Sequence, residues 1–237
     1  MIVLGLDTAT TACSVAIGHE GEILAEELTT APETHSRHLM GMVLSACRSA
    51  CIDLQMIDGC AVTAGPGSFT GLRIGISTVK GICFALQKPL ATVSTLEVLA
   101  AQAVECRKDF AGILLSLINA RRKEVYAGWY RKDDAGLQPI GSFQAAPIDR
   151  VLDAACSGMF LAVGDGALLY RETIEMVAGQ MVLWPDPSAH IPRASTLVRL
   201  GLSRFRAGQV TDASAFSPEY VRKPDIRLPA TGILEVR

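Results

Sequence analysis

The chain has 237 residues, 49% of them hydrophobic and 19% charged, with 24 acidic against 22 basic side chains and a net charge of −2. That composition supplies a packed core and excludes intrinsic disorder, and it lacks the basic stripe of an independent nucleic-acid binder. The opening MIVLGLDTAT has no basic region or cleavage site, and no apolar run approaches the roughly 18 residues of a membrane span, so the expected location is cytoplasmic. Seven cysteines (13, 47, 51, 60, 83, 106 and 156), odd in number and without paired CxxC spacing, read as reduced thiols rather than disulfides or a zinc site.

Residues 2–6 (IVLGL) are a short apolar run that ends at Asp7. Residues 12–18 and 22–28 are further strand candidates about the turn His19-Glu20-Gly21, so an antiparallel meander opens the fold. From His35 to Cys51, Leu39, Met40, Val43, Leu44, Ala46, Cys47, Ala50 and Cys51 repeat at helical spacing. A strand at 59–64 feeds the stretch GPGSFTGLRIG (65–75), and a helix rich in small residues is predicted over 72–86. After a strand at 90–93, Ser94 and Glu97 stand at capping-box spacing before LEVLAAQAV. The second half begins near Phe110. It predicts strands at 111–120 and 124–130, a hairpin turn at 133–136, a strand near 138–144, a helix around 148–155, a strand at 159–163 and a helix near 167–178. A last helix is predicted over 195–207, and prolines 218, 224 and 229 point to an extended segment beyond it. The alternation of strands and helices places the chain in the α/β class. The second half has the order of a smaller copy of the first, without a sequence repeat.

GPGSFTGLRIG invites comparison with phosphate-binding loops. A Walker A motif needs G-x-x-x-x-G-K-[ST], and here Leu72 follows Gly71, so the lysine that would meet a phosphate is missing. A dinucleotide fingerprint needs glycine where Thr70 stands, and an acidic residue at the end of the next strand, which instead ends in Thr92-Val93-Ser94. Two other roles remain open. Gly65 and Gly67 with Pro66 can make a stiff bend capped by Ser68 or Thr70. Gly71, Gly75 and Gly81 can leave room for a closely packed backbone, from this chain or from another protein.

The stretch from Gly65 to Gly75 resembles the signature of the TsaB (YeaZ) family, which serves formation of threonylcarbamoyladenosine in tRNA. Supporting blocks lie in order along most of the chain: LDTAT with Cys13-Ser14-Val15-Ala16, His35-Ser36 with Leu39, ARRKEVY (120–126), Gly164-Asp165-Gly166-Ala167 and PEYVR (218–222). The resemblance implies an α/β, two-lobed actin-like fold of the ribonuclease-H-like ASKHA type. Residues 1–106 would form the lobe carrying the partner helices and 107–216 a smaller second lobe. The helix near 195–207 is free to pack back on the first lobe, and 217–237 would be an extended tail. It implies a non-catalytic scaffold that binds and activates a TsaD-like transferase together with a TsaE-like ATPase, forms a homodimer when alone, and meets tRNA only through the complex. The modified tRNAs would be those reading codons that begin with adenine. No cofactor of its own is implied, although ATP or ADP at the complex interface is compatible with the family.

The partner interface implied by the resemblance comprises His35, Leu39, Met40, Met42, Val43 and Cys47 on the first helix and Leu72, Arg73, Gly75, Ile76 and Val79 on the second, with Gly75 admitting a partner helix. A vestigial or shared nucleotide site would comprise Asp7, Thr8, Thr10, Gly67 and Ser68; the alternative for Asp7 is a structural carboxylate bonded by the Thr8–Thr10 turn. TsaD-like enzymes hold a metal with two histidines one helical turn apart; here Leu39 stands four residues after His35, and His38 only three. No metal site and no catalytic residue are assigned. Asn119 replaces the family's usual aspartate, which weakens catalysis in the second lobe. Arg121-Arg122-Lys123 is either a solvated turn or a contact to a partner or RNA backbone, and Gly164-Asp165-Gly166 is either an adenosine-cleft loop or a strand-to-helix turn. The competing reading is an active actin-like ATPase or a glycoprotease-type peptidase; the latter is disfavoured by the absence of HExxH.

Overall fold

The computed structural model describes residues 1–30, 35–107, 109–153 and 158–217. The proline-bearing segment, the PEYVR block and Cys156 lie outside them.

Strands β1 (Ile2–Asp7), β2 (Cys13–His19) and β3 (Glu22–Thr29) form the opening meander. After helix α1 (His35–Ser49), β4 (Gly59–Gly65) pairs parallel with β1, and after α2 (Phe69–Leu86), β5 (Leu90–Ser94) pairs parallel with β4. The sheet order is β3-β2-β1-β4-β5. Burial follows position: every residue of β4, an interior strand covered on both faces, is buried, whereas the edge strand β3 contains no buried residue.

Helix α3 (Thr95–Cys106) leads into the second half, where β6 (Gly112–Arg121), β7 (Glu124–Asp133) and β8 (Gly136–Pro147) form another antiparallel meander. Short helix α4 (Ile148–Asp153), β9 (Phe160–Val163), helices α5 (Asp165–Leu169) and α6 (Arg171–Ala178), and β10 (Val182–Leu183) complete it. Its order, β10-β9-β6-β7-β8, is that of the first sheet with β6 in the place of β1, so the second half is a structural copy of the first. The helix predicted near 167–178 is two helices, parted at Tyr170.

The final helix α7 (Ala194–Arg206) returns to the first lobe, where Leu197, Val198 and Leu202 pack with Val3, Ala16 and Ala61. Helix α3 joins the lobes. Its Val98 belongs to that cluster, whereas Leu96, Leu99, Ala100 and Ala103 pack with Leu114, Ile118, Tyr130 and Leu161 of the second sheet. The expected capping box at its start is not formed: Ser94 makes no side-chain cap bond, and both carboxylate oxygens of Glu97 accept from the Arg204 guanidinium, at 2.7 and 2.9 Å. An arginine Nη2 reaching across from α7 outcompetes a local backbone N–H for this carboxylate.

Helices α1 and α2 lie together on the other face of the first sheet, over Leu4, Leu6, Val15, Ile17 and Val62. Contrary to the expectation that nothing in the chain approaches a membrane span, α2 has the length and mean hydropathy (1.3) of one. Its Leu72, Ile76, Val79, Ile82 and Cys83 are buried in that cluster, the setting of a core helix.

Candidate functional site

The expected site residues fall in two places in the first lobe: the junction where β1 meets the start of α2, and helices α1 and α2 themselves. At the junction α2 begins at Phe69, three residues before the predicted start, because Ser68 caps it: the Ser68 Oγ accepts from the Gly71 N–H at 3.2 Å. The β1–β2 turn lies directly against this first turn of helix. The Ser68 N–H donates to the Ala9 carbonyl at 2.6 Å, and the Thr8 hydroxyl donates to the Gly71 carbonyl at 2.8 Å. A Cβ at Gly67 would fall within 3.0 Å of the Ala9 carbonyl oxygen, one at Gly71 equally close to that of Thr8, and one at Gly75 against the Thr8 hydroxyl. The glycines therefore admit the chain's own β1–β2 turn. Gly75, expected to receive a partner helix, is buried and occupied from within.

Asp7 lies under this seal, fully buried. The Thr8–Thr10 turn does not serve its carboxylate as expected, since the Thr8 hydroxyl goes to Gly71 and the Thr10 Oγ1 accepts from the Ala12 N–H. Neither carboxylate oxygen meets a donor in hydrogen-bond geometry among the described residues. Burial pushes the carboxyl up to about 7, with the nearby Thr63 hydroxyl and Ala9 N–H pulling weakly the other way. Burial, reinforced by Asp7, likewise raises the Cys13 thiol to about 12. A nucleotide held in the manner of actin-like ATPases needs a carboxylate that can reach metal-bound water. Asp7 is closed off by Thr8, Ala9 and the start of α2, so the residues present do not fit that group.

On α1 and α2, the side chains of Leu39, Met42, Val43, Cys47, Leu72, Ile76 and Val79 are core residues. The expected interface is corrected accordingly: these side chains hold the helices to the sheet and cannot also face a partner. His35 opens α1, and His38 is exposed; no cluster of three or more His, Cys, Asp or Glu stands together among the described residues. The outer face consists of Met40 (43% exposed), Gly41, Leu44, Arg73, Ser77, Gly81 and Phe84 (78% exposed), with Arg73 4.8 Å over the Phe69 ring. Among the described residues, a Cβ at Gly41 or Gly81 would meet nothing within 4 Å. The signal for this face was present in the sequence. Met40 and Leu44 repeat four apart, one position on from the buried Leu39–Val43 stripe, as Arg73, Ser77 and Gly81 repeat beside Leu72, Ile76 and Val79.

The corresponding junction in the second lobe is held by side chain–backbone bonds, with Asn119 exposed and Asp165 half-buried. The Asp165 Oδ1 accepts from the Asn119 N–H at 3.0 Å, and the Asn119 Oδ1 accepts from the Arg121 N–H at 2.8 Å. Asn119 thus braces the β6–β7 hairpin. A Cβ at Gly166 would collide with the backbone of Leu117 and Ile118, so Gly164-Asp165-Gly166 is a tight strand-to-helix turn. At the hairpin tip Arg121, Arg122 and Lys123 are exposed and left-handed, with φ of 61°, 51° and 64°.

Comparison with known proteins agrees with this architecture. The family model described as TsaD, tRNA N6-adenosine threonylcarbamoyltransferase, matches residues 23–229. The tRNA threonylcarbamoyladenosine biosynthesis protein TsaB of Bacillus subtilis (strain 168) is 30% identical over 229 residues, 94% of each chain. YeaZ from Pseudomonas aeruginosa superposes with a TM-score of 0.81 at 34% identity, covering 92% of this chain and 99% of that one. The (R)-2-hydroxyglutaryl-CoA dehydratase component A of Acidaminococcus fermentans, 14% identical, shares the actin-like ASKHA fold alone, with a TM-score of 0.53 over 86% of this chain and 98% of that one. The chain belongs to the TsaB family of tRNA threonylcarbamoyladenosine biosynthesis proteins.

Proposed function

We propose that this chain is a non-catalytic scaffold of threonylcarbamoyl transfer to tRNA, which docks on a TsaD-like transferase through the outer face of α1 and α2 and, with a TsaE-like ATPase, makes the transferase competent. The same face would make the homodimer when the transferase is absent, the complex would act in the cytoplasm, and tRNA would be engaged by the complex. Any ATP or ADP would lie between this chain and its partners, since the Asp7 junction is sealed.

The observation that carries this reading is the pairing of exposed Met40, Leu44 and Phe84 with two open mid-helix glycines. Glycine inside a helix costs about 1 kcal/mol relative to alanine. Nothing among the described residues requires that cost at Gly41 or Gly81, whereas a helix from another protein could approach closely there. An exposed methionine and an exposed aromatic ring each suit an adaptable apolar contact.

The test is co-purification with the transferase and reconstitution of tRNA modification from purified components. Gly81→Leu and Phe84→Glu change only the outer face; each is expected to leave the thermal melt intact and to abolish both binding and modification. Undiminished binding by both variants would remove this face from the interface. Gly75→Leu is unsuitable, because it breaks the β1–α2 junction itself.

A further inference from the structure

The β6–β7 hairpin tip is unexplained by the scaffold role. Its three residues are held at φ of 61°, 51° and 64°, where glycine fits readily and each L side chain adds roughly 1–2 kcal/mol. The tip is braced: Asn119 holds the Arg121 N–H, and Asp165, from the neighbouring turn, holds the Asn119 N–H. All three side chains are exposed. Packing therefore does not require arginine at 121 or lysine at 123, two places where backbone geometry favours glycine. What the arrangement provides is three cations on consecutive residues, on a turn fixed by its neighbours, in a chain whose overall charge is −2. The acidic groups of the same turn are Asp165, which accepts from the Asn119 N–H and lies within electrostatic reach of Arg121, and Glu124 at the base of β7.

We propose that this tip is a phosphodiester contact, through which the chain touches the backbone of the RNA held by its complex. The proposal rests on the scaffold reading, because one small basic tip gives no affinity of its own on an acidic chain but can add to an RNA already gripped by a partner. RNA is favoured over an acidic protein by the chemistry. Guanidinium forks bind phosphate oxygens bidentately, and neighbouring cations match a ligand whose charges repeat along a chain. The apolar protein face, in contrast, lies on the other lobe. Such contacts position RNA without reading its sequence.

The experiment uses the assembled complex with the transferase and unmodified tRNA, titrated over a range of salt. Two variants remove the charge: R121E/K123E reverses it, and R121G/K123G deletes it while placing glycine where the backbone prefers it, so the second is expected to fold at least as stably as the parent. Loss of two phosphate contacts should weaken tRNA binding roughly tenfold and lower the slope of log K against log salt by about 1.4–1.8. The expected result is this change in both variants, with the protein complex intact. An unchanged slope with an intact complex overturns the proposal, as does weakened assembly with an unchanged slope, which would make the tip a protein contact. If the unaltered chain itself fails to assemble with the transferase, it is the scaffold reading that falls.

Discussion

Asp7 is a carboxyl group buried without a hydrogen-bond partner, and this has a consequence for stability. The folded chain holds its proton up to about pH 7, whereas the unfolded chain releases it near the ordinary value of 3.8. Between those limits the folded state binds more protons than the unfolded state, so stability is fully present below about pH 4 and falls as pH rises towards 7. At about 1.4 kcal/mol for each pH unit, the loss is on the order of 4 kcal/mol. Asp7→Asn cannot ionise. It is expected to have nearly the parent's stability at pH 4 and to exceed it clearly at pH 8, measured by urea unfolding at several pH values. Parallel pH profiles for the two proteins would show that Asp7 is already charged and solvated in the fold. The residue itself was legible in the sequence, as an aspartate ending the first strand. Its isolation was not, because that depends on Thr8 turning to Gly71 and on Ala9 receiving the Ser68 N–H, contacts more than fifty residues apart in sequence.

Helix α2 shows how one element carries glycines for opposite reasons. Gly75 is buried against Thr8, and Gly81 faces open space. Gly75→Ala is expected to destabilise by about 1–3 kcal/mol, since the added methyl must displace the Thr8 hydroxyl and its bond to Gly71. Gly81→Ala should stabilise by about 0.5–1 kcal/mol, because no described residue is displaced and the unfolded chain loses freedom. Chemical denaturation distinguishes the two directly, and equal effects of the same sign would contradict the assignment of the faces. Spacing alone could not separate them. Leu39 and Met40, or Ile76 and Ser77, are neighbours on adjoining stripes of a helix, and which stripe turns inward depends on the sheet beneath. The element boundaries that failed had similar causes: α2 starts early because Ser68 caps it, and Glu97 left its local box for an arginine over one hundred residues away.

At the scale of the molecule, two copies of one topology are joined by a helix that belongs to both. The duplicated order of the strands was visible as a repeated succession of predicted elements. No sequence repeat accompanied it, because the two sheets need similar patterns of burial but not the same side chains. The joint was not visible. It depends on Gln102, a buried polar residue within the apolar run of α3: its amide donates to the carbonyls of Ser188 and Ile191, at 3.0 and 2.8 Å, and its Oε1 accepts from the Arg193 N–H at 2.9 Å. One side chain therefore fastens the segment that carries the chain out of the second lobe and into α7. Thr196 and Arg199 on α7 both reach Glu105, one turn further along α3, at 2.7 and 3.0 Å. Gln102→Leu keeps similar bulk but leaves three backbone groups without their partner. At about 1–3 kcal/mol for a buried unsatisfied group, with relaxation and water reducing the sum, a loss of roughly 3 kcal/mol is expected. The loss should also be local. Hydrogen exchange should quicken over residues 186–197 before it does in β1 or β4, because the segment loses its attachment to α3 while the first sheet keeps its own ladder. If protection falls uniformly across both lobes, Gln102 is a contributor to general core packing rather than the fastening between them. Glu97→Gln offers the control. It weakens the α3–α7 tie at the outer, partly exposed end, where a charged pair contributes only about 0–1 kcal/mol, and should leave exchange in 186–193 unchanged.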